Sequence, residues 1–335
     1  MTGSVNSKDV AKLAGVSQAT VSRAISNPEK VSPATREQVS QAMAVLNYVP
    51  HRTAQVLKRG KSATIGLVVS DLLNPAISYM LNEMTVALDA AGYRSTVWHA
   101  ATSPHDLLRG IQERSVDGLI FTTATAGSEA LQMAMALRVP VLLVNRTIEG
   151  LACDQISTDN RAGAAQVASY LVANGRTNVA FITGSRQAST AAQRETSFVH
   201  KLAELGYSFP ADRIRDGGFT YEQAGMQAQS LLESDSPPNA IFCANDLMAF
   251  GALDALRRYR EHSEADCWIV GFDDIPMASW SAFDLTTVRQ PFPEMIQAGV
   301  EILLNRIDDP SLEPQIVEFE CELIVRATTD NVPIY

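Results

Sequence analysis

The sequence predicts a small all-α helix-turn-helix module followed by a large α/β region of parallel, doubly wound sheets. Three observations lead there. Charge is segregated: residues 1–62 hold nine Lys/Arg against three Asp/Glu, a net +6, and the remainder holds 18 against 34, a net −16. Short, well-capped helical segments fill the basic part. Apolar runs alternate with amphipathic helices in the acidic part, as repeated βα units require. The chain total of −10 over 335 residues, with 46% hydrophobic and 19% charged residues, is globular in composition and conceals both modules.

In the basic part, Ser7 is placed to cap a helix over 8–14 with Val10, Leu13 and Ala14 on one face. Gly15 supplies the turn. Ser17 caps a second helix over 18–26, with Val21, Ala24 and Ile25 inward, and Pro28 ends it. Ser32 followed by Pro33 starts a third helix running to about Leu46, because proline in the first turn gives up no hydrogen bond. Its apolar residues are Val39, Met43 and Leu46. The second helix offers Ser17, Gln18, Thr20, Ser22 and Arg23 near its start, groups suited to phosphates and to base edges in a major groove. A three-helix bundle that binds protein is the alternative; the basic charge and the short polar residues favour double-stranded DNA.

Residues 51–62 read as a linker. A helix over 52–58 has two turns and needs a partner to be stable. Leu57 stands among His51, Arg52 and Lys58, where an apolar side chain suits a wedge between base steps of the minor groove with the cations on flanking phosphates. A plain basic linker is the alternative.

The acidic part opens with the apolar run 65–69, expected of a strand covered on both faces. A helix follows over 75–91, with Ile77, Met80, Leu81, Met84 and Leu88 on one face and Gly92 as its stop. Further strands are expected at 95–98, 118–121, 141–144, 179–182, 240–243 and 268–270. Helices are expected at 106–114, 128–137, 161–173, 191–204, 221–232 and 246–258. So long a region exceeds one core, so two lobes are expected.

No apolar run approaches the ~20 residues that cross a bilayer, and residues 1–9 have no apolar core of a secretory signal. A cytoplasmic protein with no membrane partner is expected. Cysteines 153, 243, 267 and 321 form no C-x-x-C pair and read as buried thiols in a reducing compartment. The five histidines lack metal-ligand spacing, and no phosphate-binding glycine loop or nucleophile motif occurs. No metal, no cofactor and no enzymatic activity are expected.

The run Lys8-Asp9-Val10-Ala11-Lys12-Leu13-Ala14-Gly15-Val16-Ser17, with Thr20-Val21-Ser22-Arg23, Asn47-Tyr48-x-Pro50 and Ala54-x-x-Leu57, resembles the LacI/GalR transcriptional regulators. The likeness extends through Ala244-Asn245-Asp246-Leu247-Met248-Ala249, Gly271-Phe272-Asp273-Asp274, Leu285-Thr286-Thr287-Val288-Arg289-Gln290 and Leu323-Ile324-Val325-Arg326. These match that family's effector-binding core, a two-lobed fold like the periplasmic sugar-binding proteins of type I.

The resemblance implies a DNA-binding domain over 1–50, a hinge helix over 51–62 and an effector-binding, dimerising core over 63–335. Lobe 1 would take about 63–160 and 291–320, lobe 2 about 161–290 and 321–335, with crossings near 161, 290 and 321. Gln18, Ala19 and Arg23 take base-reading positions, and Ala19 there can make only an apolar contact, for instance to a thymine methyl. Leu57 takes the intercalating hinge position. Strand-end positions mark Asp273, which otherwise reads as an Asp at a helix start, and Asn245, otherwise a turn residue or cap, with Asp246 the expected cap. Arg194 matches an effector-binding arginine in the pattern R-x-x-G-F, with Ser197 in place of Gly; a surface arginine is the alternative. Phe219 matches an aromatic that packs on ligand, Asn145 stands where relatives carry Asp, and Gln290 lies at a crossover. Trp280, Trp98 and His99 are further candidates for the pocket.

The function expected is a homodimeric regulator, by family habit a repressor, that binds a near-palindromic operator. A small polar metabolite held between the lobes controls its affinity. One alternative is a DNA-binding regulator whose large domain only dimerises. Another is a sugar-binding transport receptor, which would need a secretory signal.

Overall fold

The computed structural model describes residues 5–48, 61–264 and 266–330. The chain divides into two compact units, one ending at Ser62 and one beginning at Ala63.

In the first unit, α1 (Ser7–Ala14), α2 (Gln18–Ser26) and α3 (Pro33–Val45) pack on a core of Val10, Ala11, Val21, Val39 and Ala42. The N-cap of α1 is Asn6, not Ser7. Asn6 and Asp9 form a reciprocal capping box that satisfies two otherwise orphaned donors. Leu13 is half exposed, so the inward stripe of α1 runs through Val10 and Ala11 instead. Gly15 takes φ 67° and turns the chain, and Ser17 and Ser32 cap α2 and α3 as their positions suggest.

The second unit holds β1 (Thr64–Val69), α4 (Pro75–Ala90), β2 (Arg94–His99), α5 (Pro104–Gln112), β3 (Gly118–Phe121), α6 (Glu129–Ala136), β4 (Val141–Val144) and β5 (Asp154–Thr158). It continues with α7 (Asn160–Ala173), β6 (Val179–Thr183), α8 (Ser189–Glu204), β7 (Ile214–Asp216), α9 (Tyr221–Leu232), β8 (Ala240–Cys243), α10 (Asp246–Arg260), β9 (Trp268–Asp273) and β10 (Thr286–Arg289). The last elements are α11 (Phe292–Asp308), β11 (Ile316–Phe319) and β12 (Glu322–Ile324).

Two six-stranded sheets result, ordered β11-β5-β4-β3-β1-β2 and β12-β10-β9-β8-β6-β7. Every pairing is parallel except β10 with β12. Both sheets thus have the helix-covered, doubly wound form that the apolar runs predict. The chain leaves the first sheet after β5, returns to it after β10 through α11, and leaves again between β11 and β12.

The expected strands and helices exist within a few residues of their expected ends. Strands β5, β7, β10, β11 and β12 and helix α11 lie outside the expected elements. Strand β5 has no apolar run to mark it, because Asp154, Gln155, Ser157 and Thr158 are polar yet fully buried. Arg306 of α11 meets both carboxylate oxygens of Asp154, and Gln155 bonds the backbone at Ile148 and Leu151. These bonds offset the cost of burying Asp154 and Gln155.

Two glycine positions set close approaches. The Trp98 ring covers Gly66 and Gly110 in lobe 1, where a Cβ would meet it at 2.3 and 2.5 Å. Helices α9 and α10 touch backbone to backbone at Gly225 and Gly251. Among the described residues no helix is long and apolar enough to cross a membrane.

Candidate nucleic-acid interface and ligand cleft

Within the first unit, α2 presents its first turn outward. Gln18 and Ala19 are exposed, as is Arg23 one turn on, while Thr20 and Ser22 are half-buried. The Ser17 oxygen accepts from the Thr20 backbone at 3.1 Å and sits 2.9 Å from the Thr20 hydroxyl. The Gln18 amide donates to Ser7 Oγ at 2.9 Å, which fixes it relative to α1. A pre-set amide, a small apolar residue and a guanidinium along one exposed face match what reads base edges and phosphates. His51, Arg52, Ala54, Leu57 and Lys58 lie outside the described residues.

Within the second unit, a cleft of 180 Å³ opens between the two sheets. Its walls come from the carboxyl ends of parallel strands, where such folds bind ligands. Ser70 and Asp71 follow β1, Thr123 follows β3, and Asn145 and Arg146 follow β4. Asn245 follows β8, Asp273 ends β9, Phe219 precedes α9, and Thr190 and Arg194 project from α8. Three of its residues, Asn145, Phe219 and Asp273, adopt positive φ of 59°, 60° and 132°. The Phe219 ring occupies the space a side chain on Gly184 would need, since a Cβ there would lie 2.2 Å from it.

Arg194 is a buried guanidinium, not a surface one, at 2% exposure. Its Nε donates to Asn160 Oδ1 at 2.8 Å, and Nη1 donates to the Ala244 carbonyl and lies 3.6 Å from Asp273 Oδ1. Its Cζ lies 3.6 Å from the centroid of the Phe272 ring, and Nη2 has no partner. Desolvation, only partly offset by Asp273, pushes Arg194 down to about 10. Ser197 donates to the Arg161 carbonyl, so it leaves the Arg194 head undisturbed.

Asn245 proves to be the N-cap of α10, with Oδ1 accepting from Met248 N at 3.0 Å. The cap expected of Asp246 is therefore corrected. Asp246 is buried and accepts from Thr287 Oγ1 and from Ile275 N. Gln290 is absent from the cleft wall. It bridges the lobes instead, donating to Asp273 at 2.6 Å and accepting from Thr158 at 2.8 Å. Trp280 is 54% exposed, Trp98 packs in lobe 1, and His99 accepts from Thr102 N; none of the three borders the cleft.

Arg146, Thr190, Ser70, Asp71 and Thr123 were not singled out from the sequence, nor was Asn160, which holds Arg194 in place. The signal was present: the strand-end rule that marks Asn245 and Asp273 applies equally after β1, β3 and β4.

Burial raises both Asp246 and Asp273 above the ordinary carboxylate range, and repulsion from Asp273 raises Asp246 further. The folded state therefore holds these protons more tightly than the unfolded chain. The associated stability is complete at low pH and declines as pH rises from about 4 to about 8. Asp246→Asn should flatten that decline in urea unfolding of the full chain across this range; an unchanged slope would refute the assignment.

All four cysteines are free, and three are fully buried. Among the described residues no group of three or more His, Cys, Asp or Glu is arranged to hold a metal.

Residues 7–51 match the model of bacterial regulatory proteins, lacI family, and residues 168–329 match a periplasmic binding protein-like domain. The HTH-type transcriptional repressor PurR of Aliivibrio salmonicida (strain LFI1238) is 30% identical over 97% of this chain and 99% of its own length. The HTH-type transcriptional repressor CytR of Escherichia coli (strain K12) is 30% identical over 97% of this chain and 96% of its own. Among solved structures, the lac repressor dimer bound to operator and the anti-inducer ONPF aligns with a TM-score of 0.84 at 28% identity, covering 97% of this chain and 99% of that one. The transcriptional regulator CelR in complex with cellobiose aligns with a TM-score of 0.73 at 28% identity, covering 96% and 99%.

Proposed function

This chain belongs to the LacI/GalR family of transcription regulators, and from that premise we propose that it is a homodimeric repressor whose grip on a near-palindromic operator is set by a small polar effector held in the cleft. It is a DNA-binding regulator, not an enzyme. The observation that carries the effector half is the cleft itself: polar side chains from the strand ends of two sheets converge on one cavity, with Arg194 buried and one of its nitrogens unsatisfied. The lac repressor and CelR, each solved with a small molecule, support the same reading.

The proposed domains are 1–50 for DNA, 51–62 for the hinge, and 63–335 for the core. Its lobes take about 63–160 with 291–320 and about 161–290 with 321–335. Proposed base and phosphate contacts are Ser17, Gln18, Ala19, Thr20, Ser22 and Arg23, joined by His51, Arg52, Ala54, Leu57 and Lys58 from the hinge. Proposed effector contacts are Asn145, Arg194, Phe219, Asn245 and Asp273, with Gln290 acting through Asp273. The lac repressor, solved as a dimer bound to operator, supports a second copy as partner. The protein acts in the cytoplasm.

Effector binding must favour one lobe arrangement over another, or it changes nothing at the operator. Leu57→Ala should lower specific operator affinity about tenfold or more and leave effector affinity as it was; equal operator affinity in anisotropy titrations would rule out the wedge. The general test is a thermal-shift screen of the full chain against small metabolites. Each hit is then added to the chain bound to operator DNA. A hit that changes operator affinity upholds the proposal; a chain that binds DNA but no metabolite leaves only dimerisation for the core.

A further inference from the structure

We propose that the cleft selects an anion, a small hydroxylated carboxylate or phosphate ester whose charged group lies between the guanidinium groups of Arg146 and Arg194. This rests on the reading of the cleft as the effector site and names the chemical class that site takes.

The charged groups facing the cavity are Arg146, Arg194, Asp273 and Asp71. Arg146 donates only to neutral oxygens, the Asn145 carbonyl and Thr190 Oγ1, and approaches the Phe219 ring at 5.8 Å. Among the described residues, no carboxylate lies within ion-pair distance of it. Arg194 has one long contact with Asp273 and a buried Nη2 without a partner. Asp273 faces both arginines with a single negative charge, and its Oδ1 also accepts from Gln290 at 2.6 Å. Asp71 is only half-buried, accepts from Leu73 N at 2.9 Å and pairs with neither arginine.

Two guanidiniums, one from each side of the cleft, thus face a small cavity in which Arg146 has no paired carboxylate and Arg194 only one distant one. A charge removed from water needs a counter-charge. The planar fork of arginine supplies paired donors matched to a carboxylate or phosphate. Burial and the neighbouring Arg194 push Arg146 down to about 10, the direction expected of a cation awaiting its anion. Asn145 Oδ1 is also buried without a partner and asks for a donor. A ligand hydroxyl provides one, which is why the anion is hydroxylated.

The test compares matched probes on the full chain by isothermal titration. The pairs are gluconate with glucitol, glucuronate with glucose, and glycerol 3-phosphate with glycerol; carboxylate and phosphate arms separate the two anion types. At least one anion is expected to bind more than tenfold tighter than its neutral partner. Arg146→Met should erase most of that margin. Arg146→Lys, which keeps charge but not the fork, should retain part of it and serves if the methionine variant does not fold. Equal binding of a neutral probe overturns the anion inference and leaves the effector site standing. Binding of none of the probes overturns the inference, while the wider metabolite screen decides the effector site separately.

Discussion

Arg194→Met is expected to lower the free energy of unfolding by about 3 kcal/mol and to weaken effector binding about 100-fold. The side chain is fully enclosed, so truncating its head leaves Asn160 Oδ1, the Ala244 carbonyl and Asp273 facing an apolar methionine. Asp273 then keeps only Gln290 as a close donor and becomes harder to ionise. Because Arg194 lines the cavity and its Nη2 has no partner, ligand binding loses a charge-assisted hydrogen bond as well. Urea unfolding of the full chain reads the first effect, and titration with an effector found by screening reads the second. DNA binding without effector should persist. A variant as stable as the parent would show that Arg194 is not the keystone of this wall.

Gly251→Ala is the second large effect, again about 3 kcal/mol of lost stability. Helix propensity alone would make this substitution favourable, by about 1 kcal/mol. Packing reverses the sign. A Cβ on Gly251 would stand 2.1 Å from the Tyr221 carbonyl and 3.1 Å from Gly225 N, and these are backbone atoms that cannot swing aside. Helices α9 and α10 must separate. The shift reaches the cleft, since Phe219 leads into α9 and Asn245 caps α10. Gly225→Ala is the milder control, because its Cβ meets Gly251 O at 3.2 Å. Urea midpoints for the two variants should differ clearly; a neutral Gly251→Ala would refute the close crossing.

Most of the architecture was legible because it is written in apolar runs. Strands such as Val141–Val144 and Ala240–Cys243 are buried on both faces and carry nothing but apolar residues. Strand β5 was illegible for the opposite reason, since its residues are polar although buried, and the partner of Asp154 is the distant Arg306. Helix α11 has a legible pattern, since Met295, Gly299, Val300, Leu303 and Ile307 repeat at helical spacing. Strand ends located Asn245 and Asp273, but the roles within the site depended on neighbours distant in sequence. Nothing local to Gln290 says that it spans Thr158 and Asp273, and nothing local to Arg194 says that Asn160 holds it. The Asn6 cap was missed because serine at position 7 is an equally good capping residue, and only Asp9 closing the box decides between them.

The threading of the chain between the sheets has a consequence for synthesis. The first sheet lacks an edge strand until β11 has left the ribosome, and the second until β12 has. Neither half of the core can be completed before residue 316, whereas α1 to α3 are finished within the first 45. Domains generally fold as units, in order of emergence. The nascent chain therefore carries a finished DNA-reading module long before it has a sensor to govern it. The acidic core that follows joins only at the end, so control arrives last.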